Sequence, residues 1–209
     1  MAWNWNLRLA CFVLYHEIRG EKKYQQNTVG IDDLKKEKTE DDRLHASIYQ
    51  PINYYTAEKL FDHIFFEDIQ GSLLDMGCGK GRLFSVGAAY GFKHIIGVDF
   101  SAKLCECALA NARILMGHTA VNVEVICADA TTFIIPTTVN TIFLFNPFDS
   151  MIMRKMLRNL NESIIQKPRP IKVLYANPVC KNLFIEAGFI ETFYFKKLAY
   201  LEGAVLESE

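Results

Sequence analysis

Long apolar runs are absent from the 209-residue sequence. The apolar stretch near its N-terminus, residues 9–15, is far shorter than the ~20 residues that a membrane-spanning helix requires. Arg8 is the only basic residue before this stretch, and no small-residue cleavage site follows it, so a secretory signal peptide does not fit. We therefore expect a cytoplasmic protein without a transmembrane segment.

Neither sign of charge predominates. The sequence has 23 Lys and Arg residues against 24 Asp and Glu residues, which gives a formal net charge of −1. Such a chain has no positive field to attract phosphate backbones, and this argues against strong general nucleic-acid binding. A local basic patch could still dock a structured RNA.

Metal-ligand spacing is also missing. The six cysteines are scattered, and the C-x-C pair of Cys105 and Cys107 has no second pair or nearby His to complete a zinc site. Several cysteines lie in apolar, strand-like segments, where a reduced thiol packs as a small hydrophobe. We expect reduced thiols, as in a reducing compartment, and no bound metal.

The first 48 residues differ in composition from the rest. Residues 20–43 are mostly charged or polar and predict a solvated linker. Before them, apolar residues recur at helical spacing, which predicts an amphipathic helix packed on the domain, on a partner or on a second copy of the chain. These residues are Trp3, Leu7, Cys11, Leu14 and Ile18. We therefore divide the chain into a helix with a charged linker over 1–48 and a folded domain over 49–209.

From residue 72 onward, strand-like and helix-like segments alternate. The predicted strands, 72–76, 94–99, 121–127, 141–146 and 171–176, are apolar runs without polar alternation, as parallel strands covered on both faces are. Helical patterns at 82–90, 102–116 and 151–165 separate them. This order predicts a doubly wound, Rossmann-like α/β fold. After a short helix at 181–187, strands at 188–195 and 204–206 predict an antiparallel hairpin at the sheet edge.

A glycine-rich turn follows the first predicted strand. In the sequence LLDMGCGKGR, residues 73–82, the strand carries Asp75, three alternating glycines make the turn, and a helix begins at Arg82. Glycines let the backbone turn sharply and let a ligand approach bare main chain. A dinucleotide-binding fingerprint requires its third glycine at position 82, where this chain has Arg82.

The D-x-G-x-G-x-G spacing resembles the first motif of class I, Rossmann-like S-adenosylmethionine-dependent methyltransferases, and the chain looks like a small, bacterial-type, single-domain member. The resemblance covers about residues 50–200. It implies a seven-stranded, mostly parallel sheet with the last strand antiparallel, with S-adenosylmethionine as donor and S-adenosylhomocysteine as product. It places the donor against Asp75, Gly77, Cys78, Gly79 and Gly81.

The next two strands end in acidic residues that fit the same frame. Asp99 lies about twenty residues beyond the glycines, where a carboxylate that binds ribose hydroxyl groups is expected, and Phe100 follows it. After the third strand, the resemblance implies that Asp129 contacts the adenine amino group and that the backbone N–H of Ala130 contacts a ring nitrogen. All four residues are predicted to bind the donor.

The fourth strand leads into Asn146, Pro147 and Phe148, which the resemblance places opposite the methyl group as the catalytic residues. An Asn side-chain oxygen and the next carbonyl can align an amino group for attack. Phe148 replaces the second proline of the N-P-P-Y pattern, so the type of acceptor atom is open. Asp149 is either a general base that contacts the substrate or the cap of the following helix.

Aromatic residues ahead of the first predicted strand supply further candidates. Tyr49 and Tyr54 are predicted to cover the sulfonium or to hold the acceptor. The predicted reaction is in-line methyl transfer, without metal, to a small molecule, a protein side chain or RNA. Two alternatives are a nicotinamide-dependent oxidoreductase on a Rossmann fold and a catalytically inactive nucleotide-binding module.

Overall fold

The structure, a computed structural model, describes residues 7–25, 28, 50–145 and 148–208. Seven strands in this part of the chain form one sheet in the order β3-β2-β1-β4-β5-β7-β6. Strands β1 to β5 pair in parallel, whereas β7 is antiparallel to both of its neighbours. The strands are β1 Ser72–Met76, β2 His94–Asp99, β3 Asn122–Cys127, β4 Val139–Phe145, β5 Lys172–Ala176, β6 Ile190–Lys197 and β7 Leu201–Glu207.

Helices cover both faces of the sheet. Helices α1 to α4 lie on one face, where a buried cluster contains residues such as Phe61, Leu73 and Phe84. Helices α5 and α6 lie on the other face, over a second cluster that contains Leu74, Met156 and Phe184. The helices are α1 Leu7–Tyr24, α2 Tyr54–Phe61, α3 Arg82–Ala89, α4 Ala102–His118, α5 Ser150–Gln166 and α6 Lys181–Glu186, with a short 3₁₀ helix at Asp68–Gln70.

This architecture confirms the predicted fold class. The sheet is mostly parallel, and its antiparallel strand is the last in the chain. The predicted bounds of β1 and β2 agree with the observed ones, and the predicted hairpin is the pair formed by β6 and β7. All six cysteines are free thiols, as expected from their scattered positions.

Helix α1 differs from the prediction in two ways. It continues to Tyr24, so residues 20–24 belong to the helix and not to the linker. The predicted apolar stripe is also not the side of the helix that packs on the domain, since Leu7, Leu14 and Ile18 are exposed to solvent. The buried residues are instead Leu9, Gly20 and Tyr24. Because α1 is apolar on more than one side, helical spacing alone did not identify the face that packs.

Helix α1 packs on α2 within the described chain. The predicted partner or self-association contact through its exposed stripe stays a prediction, as does the division of the chain at residues 48 and 49. Trp3 lies outside the described residues. None of the described helices combines the length and the apolar character needed to cross a membrane.

Candidate functional site

The glycine-rich turn joins the end of β1 to the start of α3. Gly77, Gly79 and Gly81 have φ angles of 85°, 55° and 79°, in the left-handed region that glycine adopts without strain. The amide of Gly77 donates to the Val98 carbonyl of β2 at 2.8 Å, and the amide of Gly81 donates to the Cys78 carbonyl at 2.8 Å. The turn is therefore fixed against the neighbouring strand at the carboxyl end of the sheet, where Gly77 is exposed and Gly79 and Gly81 are buried.

Phe84 explains why two positions near this turn lack a side chain. A Cβ atom at Gly81 would lie 2.3 Å from the Phe84 ring, and one at Gly97 would lie 2.4 Å from it. Phe84 itself is fully buried. The ring therefore packs directly against the main chain of the turn and of β2.

Asp99 connects the ends of the first two strands. One of its carboxylate oxygens accepts the amide of Gly79 at 2.9 Å, and the other accepts the amide of Ser101 at 3.0 Å. The side chain is 7% exposed. A carboxylate can accept about four hydrogen bonds, so Asp99 can hold the turn and accept from ligand hydroxyl groups as well.

Asp75 places a second carboxylate under the turn. It lies in β1 between Gly97 of β2 and Phe143 of β4 and is 4% exposed. Burial, together with the charge of Asp99, raises the pKa of Asp75 to about 8. Within the described chain no donor is hydrogen-bonded to its side chain, so a cationic ligand group would stabilise the ionised form.

The segment after β3 adds the third predicted contact region. The amide of Ala128 donates to the Asp99 carbonyl at 3.0 Å, which places Asp129 next to the end of β2. The Asp129 carboxylate accepts the amide of Thr131 at 2.7 Å, Ala130 is buried, and Phe100 is 41% exposed. The structure thus brings all the predicted donor-binding residues to the carboxyl ends of three adjacent strands.

The predicted acceptor residues are described only in part. Asn146, Pro147 and Tyr49 lie outside the described residues. Phe148 is half-buried against the core cluster under α5. Asp149 caps α5, since one of its oxygens accepts the amides of Met151 and Ile152 at 2.9 and 3.0 Å. This geometry is that of the helix cap, while a role of Asp149 as a base remains a prediction.

Tyr54 is buried where α1, α2 and α3 meet. Its side chain is 1% exposed, its ring stacks on Tyr24 with 5.4 Å between centroids, and the guanidinium of Arg82 lies 4.3 Å from its centroid. These contacts give Tyr54 a packing role between α1, α2 and α3, while the role of covering the sulfonium or holding the acceptor stays a prediction. The sequence indicated the aromatic residue, but not the Arg82 guanidinium that packs against its ring.

Three residues that support the site were not predicted. Arg82 begins α3 directly after the glycines and is buried. Asn111 donates to the Lys80 carbonyl at 2.8 Å and so steadies the turn. Asn159 of α5 donates to the carbonyls of Ala130, Thr131 and Phe133 at 3.1–3.2 Å. Of these, only Arg82 had a sequence signal, its position immediately after the motif.

Solved structures with a similar fold include methyltransferases. A putative methylase from Haemophilus influenzae has a TM-score of 0.57 and 19% identity, with 74% of this chain and 96% of that chain covered. A putative RNA methyltransferase from Pyrococcus horikoshii has a TM-score of 0.54 and 19% identity, with 78% and 84% covered. A tRNA (uracil-54, C5)-methyltransferase from Pyrococcus abyssi, solved with S-adenosyl-L-homocysteine, has a TM-score of 0.54 and 20% identity, with 76% and 40% covered.

Sequence comparison with curated proteins gives no match. The model of a methyltransferase-domain family matches residues 73–165, a range that begins in β1 and includes the glycine-rich turn, Asp99 and Asp129. The chain therefore has the class I, Rossmann-like fold of these structures, and residues 73–165 are similar to a methyltransferase domain.

Proposed function

We propose that the protein transfers a methyl group from S-adenosylmethionine to an acceptor by in-line displacement, without metal. The observation that carries the proposal is the pairing of a buried carboxylate, Asp75, with a glycine turn that Asp99 fixes by a 2.9 Å hydrogen bond. The residues fit a ligand that has a cationic end and a ribose. Such a ligand supplies an ionic partner for Asp75 and hydroxyl donors for Asp99.

The donor site follows from these positions. Gly77, Cys78, Gly79 and Gly81 present main chain, and Asp75 stabilises the cationic methionine end. Asp99 accepts from the ribose hydroxyl groups.

The adenine contacts come from the ends of β2 and β3. Phe100 lies beside the base, while Asp129 and the amide of Ala130 meet its polar edge. When bound, the donor supplies a methyl group already activated by a sulfonium. The protein therefore has to exclude water and to align the acceptor.

The binding test uses calorimetry with S-adenosylmethionine and S-adenosylhomocysteine, and NADH as the comparison ligand. We expect both adenosyl ligands to bind at about micromolar Kd, or about −8 kcal/mol, and NADH not to bind. A folded protein that binds neither adenosyl ligand would contradict the proposal. Transfer of a labelled methyl group to small-molecule, protein and RNA fractions then identifies the acceptor.

We predict that Asn146→Ala separates binding from turnover. Because Asn146 is assigned to aligning the acceptor and not to holding the donor, its loss should lower turnover about 30-fold. The Kd for S-adenosylhomocysteine should stay within about twofold. Steady-state methyl transfer and calorimetry on the same preparation measure the two effects. An equal loss of donor affinity and turnover would assign Asn146 to the donor site instead.

A further inference from the structure

A buried ion pair joins the N-terminal helix to the residue that follows the glycine-rich turn. Nη1 of Arg82 lies 2.7 Å from Oε2 of Glu17 in α1, and the Arg82 side chain is 4% exposed. The same nitrogen donates to the carbonyl of Ile52 at 2.6 Å, and Nε donates to the hydroxyl of Thr28 at 2.7 Å. Glu17 also accepts the amide of Tyr54 at 3.3 Å. One carboxylate thus ties α1 and α2 to the start of α3.

The position of Arg82 makes this pair an electrostatic element of the donor site. Arg82 is covalently next to Gly81, the last glycine of the turn, so its buried positive charge lies within one side-chain length of the turn against which the donor is proposed to bind. Among the described residues, Glu17 is the only carboxylate within ion-pair distance of Arg82. A buried guanidinium without its partner would repel a cationic ligand through a medium of low dielectric constant.

The substrate and the product differ in charge at this end. S-adenosylmethionine carries a sulfonium, an ammonium and a carboxylate, for a net charge of +1. S-adenosylhomocysteine has lost the sulfonium charge and is neutral overall. A charge placed near the turn therefore changes the affinity for the donor more than the affinity for the product.

We propose that Glu17 is a specificity-determining residue of the donor site, which neutralises Arg82 and so allows the protein to prefer the cationic donor to the neutral product. The inference rests on the proposed function. Glu17 is a positioning residue in this scheme, because it acts through Arg82. It also assigns the N-terminal helix to the site, although that helix precedes the methyltransferase-domain match.

Glu58 provides a matched control in the same interface. It lies in α2 and pairs with Arg19 at 2.8 Å and Lys23 at 2.7 Å, both on α1. Those two cations are about half-exposed, with side-chain exposures of 46% and 43%. Glu58→Gln therefore removes a carboxylate that holds α1 in place without leaving a buried cation beside the turn.

The experiment measures Kd for both adenosyl ligands in wild type, Glu17→Gln and Glu58→Gln. We expect Glu17→Gln to lower the ratio of donor affinity to product affinity by about fivefold. This is the effect expected from the unpaired charge of Arg82 at ~10 Å from the ligand, in a site partly screened by solvent. Glu58→Gln should lower the melting temperature while the ratio stays at the wild-type value. A Glu17→Gln protein with an unchanged ratio overturns the inference but leaves the proposed function intact, whereas a wild type that binds neither ligand overturns both.

A second pair of variants tests the sign of the effect. Arg82→Met removes the cation and leaves Glu17, so the ratio should shift towards the donor. Removing both charges in Glu17→Gln/Arg82→Met should return the ratio near the wild-type value, and loss of both partners is better tolerated than loss of one. If Glu17→Gln does not fold, the Arg82→Met variant and the double variant decide alone. A shift away from the donor in Arg82→Met overturns the inference.

Discussion

Replacing Asp99 by asparagine is expected to weaken the binding of S-adenosylmethionine at least about 100-fold, since two hydrogen bonds to a charged group contribute ~1.5–3 kcal/mol each. In the folded protein each carboxylate oxygen accepts one main-chain amide, from Gly79 and from Ser101. An asparagine has a single acceptor oxygen, and its amide nitrogen would face one of those N–H groups. The substitution therefore removes the acceptor for the ribose and releases the glycine-rich turn at the same time.

The control for this prediction is Asp68→Asn. Asp68 is also a partly buried acid, and it pairs with Lys172 at 2.6 Å, but Lys172 is the first residue of β5 and so lies at the opposite end of the sheet. We expect both variants to lose ~1–3 kcal/mol of stability, because each leaves a donor unsatisfied. Only Asp99→Asn should lose donor affinity. Calorimetry and thermal unfolding measure the two quantities, and an Asp99→Asn protein that retains wild-type affinity would exclude the ribose contact.

The second large effect concerns pH. Burial and the charge of Asp99 raise the pKa of Asp75 to about 8 in the ligand-free protein, and a cationic ligand favours the ionised carboxylate. The affinity contributed by Asp75 should therefore increase as pH rises, by about 100-fold between pH 6 and pH 9 if the complex holds the carboxylate ionised throughout. Binding below pH 8 should release a proton, which calorimetry detects as a dependence of the apparent enthalpy on the buffer.

Asp75→Asn separates this effect from titration of the ligand. The amino group of the ligand loses its own proton in alkaline solution, in the variant as in the wild type, so the ratio of the two affinities isolates Asp75. A ratio that stays constant from pH 6 to pH 9 would exclude an ionic contact between Asp75 and the ligand.

The same pKa determines how Asp75 affects stability. Because its folded pKa is above the unfolded value, the folded state binds more protons between about pH 4 and pH 8, and the contribution of Asp75 to stability decreases as pH rises through that range. In the absence of ligand, Asp75→Asn should therefore raise the melting temperature at pH 9 relative to wild type and reduce the pH dependence.

The buried strands were predictable because their environment is simple. β1 and β2 are covered on both faces, so their apolar runs begin and end where burial does, and the bounds predicted from the sequence agree with those observed. The glycine spacing likewise located the turn, because three residues with positive φ angles can be supplied without strain only by glycine. A functional motif confined to one short segment, such as this turn, can be predicted from the sequence of that segment alone.

Contacts between distant segments were not predictable in this way. Glu17 and Arg82 are 65 residues apart, and nothing local to either residue indicates the other. Tyr54 was predicted to contact the donor or the acceptor because an aromatic residue ahead of the first strand suits that role, but its environment depends on Tyr24 and Arg82. The packing face of α1 depends on the surface of α2, which the sequence of α1 does not contain.

The position of β7 has a consequence for how the chain is made. β7 is the last strand in the sequence, yet it lies inside the sheet between β5 and β6, and the amide of Ser208 just beyond it donates to the Ile171 carbonyl at 2.9 Å. During synthesis, β5 therefore keeps an open edge until β7 has left the ribosome, and an open edge is a site where nascent chains associate. Loss of β7 would remove an interior strand and separate β6 from β5, so the sheet cannot close before β7 is in place.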